Sequence, residues 1–354
     1  MPAAMNHTTT CLYVANRESR EIMVFRLDPQ TGDLTPLQSM RVNGAIMPMA
    51  VSPDHRYLYA ALRNEPYSVA SFSIDPSSGC LQHLADTPLP DSLPYIATDR
   101  SGRYLLGVSN PKSRIKPRKS VLCICPIDAQ GIVQAPQQVV PAREKAHAVL
   151  ATPSNQRVFA SSCDGDVLLR WDFDAATGML TTEGIIAATL AGGAGPRHFV
   201  FHPNGRFIYL VNEYDGTLAV FAHDAENGGL DQIQLTHIIP DDRAGRSARG
   251  ADIHFAANGG LLYVSERYSN TLAAFRVDAD SGLLTALGNQ VTEQEPRGFN
   301  IDPCGRYLFA AGRASNSLTV YAIDNPSAKL TALRQYAMSG DPNWIEIITL
   351  SAAA

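Results

Sequence analysis

The stretch GAGPRHFVFHPNGRFIYLVNEYDGTLAVF, Gly193 to Phe221, reads as strand, turn, strand, turn, strand. HPNG supplies a turn between two apolar runs, and EYDG supplies the next. An arginine, Arg197, opens the first strand, and a glutamate, Glu213, closes the second. Charges at two strand ends either decorate a surface or line a site.

Close relatives of HPNGRFIYLVNE recur along the chain. They are SPDHRYLYAALR from Ser52, DRSGRYLLGVSN from Asp99, TPSNQRVFASSCD from Thr152, DPCGRYLFAAGR from Asp302 and a weaker AANGGLLYVSER from Ala256. A D-x-x-x-G-x-L turn often follows, as in VFRLDPQTGDL from Val24 and FRVDADSGLL from Phe275. Anchored just after the turn glycine, the copies align at Arg56, Arg103, Arg157, Arg206, Gly260 and Arg306, with spacings of 47, 54, 49, 54 and 46 residues. That period predicts four-stranded blades around an axis. A β-solenoid repeat is usually shorter, and two sandwiches would not repeat one turn motif six times.

The N-terminal CLYVANRES and EIMVFRLDP supply two strands with no first strand before them, whereas the C-terminal PNWIEIITLS is a lone strand. Pairing that strand innermost with the N-terminal set completes a seventh blade. The expected fold is therefore an all-β, seven-bladed β-propeller of four antiparallel strands per blade, closed by its two termini. Residues 1–10 are expected to be a disordered extension and 11–350 a single domain. Closure hides strand edges that would otherwise invite aggregation.

The 354 residues are 45% hydrophobic and 18% charged, with net charge −5, so nothing global recommends nucleic acid or an anionic membrane as partner. The start lacks a cationic segment followed by a long apolar run, and no run of about 18 apolar residues occurs. A cytoplasmic protein, monomeric or weakly self-associating, with a small-molecule partner is expected. Of six cysteines, only Cys123 and Cys125 are close, and both read as buried small hydrophobes on one strand face.

Within a blade, the first strand and the second are antiparallel neighbours, so the start of one and the end of the other share a rim. Arg197 and Glu213 should therefore face the same mouth. Seven residues after each anchor stand Arg63, Asn110, Asp164, Glu213, Arg267 and Arg313, and the first blade adds Arg17. At first-strand starts stand His147, Arg197 and Arg297. The segment PKSRIKPRKS, Pro111 to Ser120, should overhang this rim and add more positive charge. Exposed ion pairs contribute only about 0–1 kcal/mol, so stability is a weak reason for so much charge.

Arginine forks bind carboxylate or phosphate and stabilise a developing oxyanion. A glutamate among arginines stays ionised, which suits a base acting on water, and His147 is placed to share the proton. The expected catalytic set is Glu213, His147 and Arg197. The expected substrate-binding set is Arg267, Arg297, Arg17, Arg63, Arg313, Asn110 and Asp164. No G-x-S-x-G element offers a serine nucleophile. Glu213, Asp164 and Asn110 could ligate a hard cation, but neighbouring arginines compete with it, so no metal and no cofactor is expected. His198, one residue after Arg197, is read onto the opposite strand face as packing between blades, and His254 as a core hydrogen-bonding group. Arg249 and Asp252 remain weaker candidates, while Trp171 and Trp344 are read as packing.

The pieces GAGPRHFVFHPNGRFIYLVNE, VSPDHRYLYA, ADIHF, LYVSERYSNTLAAF and QEPRGFNIDPCGRYL resemble the cycloisomerase-type 6-phosphogluconolactonases, propeller lactonases related to fungal carboxy-cis,cis-muconate lactonizing enzymes. The resemblance spans nearly the whole chain. It implies a site at one mouth comprising His147 in KAHAV, Arg197 in GPRH, Glu213 in VNE and Arg267 in SER. The long basic PKSRIKPRKS and the alanine after His147 depart from the family pattern, and both touch the mouth. The expected reaction is hydrolysis of 6-phosphogluconolactone or another anionic aldonolactone. The alternatives are a lactonizing cycloisomerase of unsaturated dicarboxylates and a noncatalytic ligand- or protein-binding propeller.

Overall fold

The computed structural model describes residues 8–111, 119–243, 245, 247–256 and 258–350. Six blades run in chain order, each with its first strand innermost. They are β4 to β7 (Ile46–Val51, Tyr57–Leu62, Ser68–Ile74, Leu81–Pro88) and β8 to β11 (Tyr95–Thr98, Tyr104–Val108, Ser120–Pro126, Gln138–Ala142). Next come β12 to β15 (Ala146–Ala151, Arg157–Ser162, Val167–Asp174, Met179–Thr189) and β16 to β19 (Pro196–Phe201, Phe207–Asn212, Thr217–His223, Leu230–His237). The last two are β20 to β23 (Gly250–Phe255, Leu261–Glu266, Thr271–Val277, Leu284–Val291) and β24 to β27 (Pro296–Ile301, Tyr307–Gly312, Ser317–Asp324, Lys329–Ala337).

The seventh blade joins the termini in the order β28 (Pro342–Leu350), β1 (Thr9–Asn16), β2 (Glu21–Leu27), β3 (Leu34–Arg41). All its pairings are antiparallel, with Cys11 opposite Ile348 and Val14 opposite Ile345. The seven inner strands touch in a closed cycle, β28–β4–β8–β12–β16–β20–β24 and back to β28. The fold is thus the expected seven-bladed propeller. β1 already begins at Thr9, two residues ahead of the expected boundary, while residues 1–7 and the core of the basic segment, 112–118, lie outside the described residues.

The sequence repeat has a packing reason. The second-strand tyrosines Tyr13, Tyr209 and Tyr263 are fully buried, and each hydroxyl donates to a turn carbonyl of the next blade, Gly79, Gly282 and Ala328, at 2.8, 2.8 and 3.0 Å. The anchor arginines do the same lower down, with Arg157 donating to Ala225 O at 2.9 Å and Arg206 to Ala279 O at 2.6 Å. Those anchors therefore stitch blades together on the face opposite the mouth. Gly282 closes one such turn at φ +77°, where a Cβ would meet Phe207 at 2.4 Å, so glycine is required both conformationally and sterically.

Between blades, large apolar residues of facing sheets form one core layer per seam, such as Phe207, Tyr209 and Val211 against Ile253, Leu262 and Phe275. The outermost strands alternate half-buried and exposed residues, as expected of sheets with one edge in water.

One irregularity bears on the site. In six of the seven inner pairs the register shifts at the mouth end, as between Pro196 and Phe199, Gly250 and Ile253, or Pro296 and Gly298. Such bulges re-aim side chains. Consecutive residues at these positions no longer alternate simply between faces.

Candidate active site

Glu213, at the end of β17, is the hub of the mouth. Its carboxylate accepts from Arg267 NH2 at 2.9 Å and Lys145 Nζ at 3.3 Å, with Arg197 Nε at 3.7 Å and Arg249 Nε at 3.9 Å. Burial alone would raise the Glu213 pKa, but Arg197, Arg267 and Lys145 overrule it and hold the carboxyl well below the usual range. It is a permanent anion that anchors four cations.

Two backbone features make this convergence possible. Gly250 opens β20 where a Cβ would lie 2.5 Å from Asn212 O, so only glycine lets the seam close tightly enough for Arg267 to span it. Arg267 is then fixed by its own contacts to Arg249 O at 3.1 Å and Gly250 O at 3.2 Å.

His147, second residue of β12, is 4% exposed. Burial, then the charges of Arg197, His198, Arg297 and Lys145, pushes its pKa well down and keeps it neutral. Its Nδ1 is buried without a partner among the described residues. Arg297, second residue of β24, is half-buried and makes no hydrogen bond or ion pair among the described residues. Burial and the charges of Arg197 and Arg267 lower its pKa, which marks a cation lacking its own counter-ion.

Arg297 also lines a cavity of about 160 Å3 with Arg17, Arg63, Arg313, Asp341 and Asn343. Asp341 pairs with Arg17 at 3.1 Å and with Arg313 at 3.0 Å, while Arg63 Nε donates to Ser92 Oγ at 2.7 Å. Arg313 also reaches Glu295 at 3.8 Å, so among the described residues that line this cavity four guanidinium groups share the Asp341 carboxylate.

The structure gathers Glu213, His147, Arg197 and Arg267 on one side of the mouth and Arg17, Arg63, Arg297 and Arg313 on the other. Asp164 stands further out, accepting from Tyr214 OH at 2.6 Å. Asn110 is tied by its backbone N–H to Ser92 O at 3.1 Å, and no described contact joins its side chain to either group.

Sequence reasoning missed Lys145, Tyr214 and Asp341. Lys145 lies just outside β12, and its Nζ donates to both Glu213 and the Tyr214 hydroxyl, the latter at 2.6 Å. Asp341 immediately precedes the closing strand β28, as Lys145 precedes β12, so neither lies within a strand.

The placement of His198 is corrected. Because of the bulge after Pro196 it does not leave the mouth for a seam between blades; its Nδ1 lies 2.8 Å from Asp252 Oδ1 and its ring packs 5.1 Å from His147. It also meets Tyr95 at 5.1 Å and Trp344 at 5.8 Å, and those two meet at 5.3 Å. Three rings from three blades thereby close the axis beneath the arginines. Asp252, in turn, takes His254 Nε2 at 3.2 Å on its second oxygen, so His254 is a hydrogen-bonding group as expected.

A larger groove of about 810 Å3 opens on the opposite face beside Asp54, Arg56 and Asp75. Asp75 there is occupied with capping its own turn through Ser77 and Ser78, and the rim charges do not reach it.

A family description, Lactonase, 7-bladed beta-propeller, matches residues 7–347. The chain belongs to this lactonase family. It is 37% identical over 341 residues to a 6-phosphogluconolactonase of Pectobacterium atrosepticum, covering 96% of this chain and 98% of that one. A 6-phosphogluconolactonase of Yersinia pestis is 36% identical over 336 residues, with 95% and 97% covered. Among solved structures, the periplasmic gluconolactonase of Pseudomonas aeruginosa superimposes with a TM-score of 0.87 at 26% identity, covering 97% of this lactonase and all of that chain. No helix of the described residues is long and apolar enough to cross a membrane.

Proposed function

We propose that this lactonase hydrolyses an anionic aldonolactone at the arginine-lined mouth, with 6-phosphogluconolactone as the leading substrate. The observation that carries this reading is Arg297. A half-buried guanidinium beside Arg197 and Arg267, with no ion pair of its own among the described residues and only the more distant Glu213 to favour its charge, gains its full compensation when a ligand brings negative charge. The adjoining cavity with Arg17, Arg63 and Arg313 has the size and charge for a phosphoryl group. The names of the Pectobacterium and Yersinia relatives support the same substrate. A cytoplasmic site of action goes with it, since a phosphorylated sugar does not cross an apolar bilayer unaided.

His147 is the better base of the two acidic-or-basic candidates. Glu213 has both oxygens engaged by cations, Oε1 by Arg267 and Oε2 by Lys145, whereas no hydrogen bond or ion pair occupies the His147 ring among the described residues. A neutral imidazole removes the proton from water as water attacks the lactone carbonyl. Arg197 and Arg267, immobilised by Glu213, are positioned for the oxyanion. The protonated imidazole then returns its proton to the ring oxygen as the ester bond breaks.

The test compares freshly prepared 6-phosphogluconolactone with unphosphorylated gluconolactone, following acid release above the spontaneous rate. Arg297→Gln is expected to raise KM for the phosphorylated lactone by about a hundredfold, the equivalent of about 2.8 kcal/mol, and to leave the neutral lactone nearly unaffected. Equal effects on both would remove the phosphoryl assignment. No turnover of either lactone, or turnover of carboxymuconate instead, would remove the hydrolase.

A further inference from the structure

Two buried imidazole nitrogens at the mouth lack a partner among the described residues, His147 Nδ1 and His198 Nε2, and their rings lie 5.1 Å apart with an interplanar angle of 54°. A buried polar atom without a partner costs about 1–3 kcal/mol, so two neighbouring ones ask for a common explanation.

The chemistry of Asp252 supplies it. This carboxylate accepts from His198 Nδ1 at 2.8 Å and from His254 Nε2 at 3.2 Å, and Phe299 N–H points to it at 3.3 Å. Burial would raise the Asp252 pKa, but the two imidazoles pull it well down, so it is ionised and only accepts. His198 must therefore carry its proton on Nδ1. Burial and Arg197 lower the His198 pKa to about 3, so it holds no second proton, and Nε2 presents a lone pair. The orphan on His198 is an acceptor in need of a donor. His147 has a donor to give if its proton sits on Nδ1.

We propose that Asp252, His198 and His147 form a line of hydrogen bonds in the working enzyme, in which Asp252 and His198 are positioning residues that hold His147 with its lone pair on Nε2. A small ring rotation, or one bridging water, joins the two orphaned nitrogens and satisfies both. The line crosses three blades, from β20 through β16 to β12. Its middle member has no room to turn over, since Tyr95 and Trp344 pack edge-on against it. The bulge after Pro196 explains how neighbours in sequence divide the work: Arg197 serves the carboxylate hub while His198 lies below it.

This inference rests on His147 being the base proposed above, and its test has a readout independent of turnover. Nitrogen-15 NMR of histidine-labelled protein reads each tautomer directly. In the wild type, His147 and His198 are both expected as Nδ1–H forms. In Asp252→Asn the carboxamide can donate to His198 Nδ1, which moves that proton to Nε2 and deprives His147 of its acceptor. Both rings are then expected as Nε2–H forms, with kcat reduced by a hundredfold or more and KM changed by less than about threefold. In the serine-protease triad the corresponding exchange costs about ten-thousandfold in kcat for the same reason.

His198→Gln keeps an acceptor oxygen in reach of His147 and is expected to retain the His147 tautomer and a larger share of kcat than Asp252→Asn. A wild-type His147 in the Nε2–H form overturns the proposal. So does a loss of kcat in Asp252→Asn with the His147 tautomer unchanged. If the wild type hydrolyses no lactone, the proposed function fails while the tautomers still decide the hydrogen-bonded line.

Discussion

Arg267 and Glu213, 54 residues apart in sequence, meet at 2.9 Å across the seam between the β16–β19 and β20–β23 blades. Both side chains are almost sealed from solvent, at 1% and 9% exposure. Removing one member of such a pair leaves the other charge stranded, which typically costs about 3–5 kcal/mol.

Glu213→Gln is therefore expected to lose both stability and activity, because Arg197, Arg267 and Lys145 lose their common anion. The Glu213 pKa is depressed in the folded state, so its stabilising contribution is present above the ordinary carboxylate pKa and fades as pH falls. The destabilisation measured by urea titration should be large at pH 7 and shrink towards pH 3. A variant as stable and active as the wild type at pH 7 would show that the four cations need no hub.

His147→Gln is expected to lower kcat by about a hundredfold to ten-thousandfold with KM little changed. Because the folded His147 pKa lies well below the ordinary histidine value, catalysis should show no acid limb between pH 6 and 8. An apparent pKa near 6.5 in the kcat profile would contradict the neutral, enclosed imidazole.

Glu346 behaves in the opposite sense from Glu213. Burial raises its pKa to about 7, against the help of Trp344 Nε1, which donates at 2.8 Å. A raised carboxyl favours the folded state below the unfolded pKa, and that contribution is lost as pH rises through 7. Glu346→Gln should consequently stabilise the protein at pH 8, by at most about 3 kcal/mol, and do little at pH 4. Thermal melts at the two pH values decide it.

Gly250→Ala adds one methyl group against the Asn212 carbonyl at 2.5 Å. The seam must open, which moves Arg267 off Glu213. Reduced kcat and a lowered melting temperature are expected together; normal values of both would mean the backbone yields there at no cost.

The ring architecture was legible because turn chemistry and alternation repeat, and their spacing survives substitution: Gly260 stands in for an arginine without disturbing the blade. The rim of charge was legible for the same reason, since antiparallel geometry sends Arg197 and Glu213 to one end. His198 was misplaced because strict two-residue alternation fails at a bulge, and the bulge has no marker in GPRHF. Lys145 and Asp341 sit outside the strands on which the alignment was built, so no equivalence between blades pointed to them. Which cation lacks a counter-ion depends on distances between blades, and Arg297 looks no different from Arg313 in a string of letters.

The closing strand β28 carries more than a structural duty. Asn343, with Asp341 just before the strand, lines the arginine-rich cavity, and Trp344 belongs to the rings that seal the axis. During synthesis those residues leave the ribosome after every other blade has been made. A polypeptide arrested before Pro342 would thus carry every arginine of the mouth and yet lack Trp344, one of the three rings beneath them.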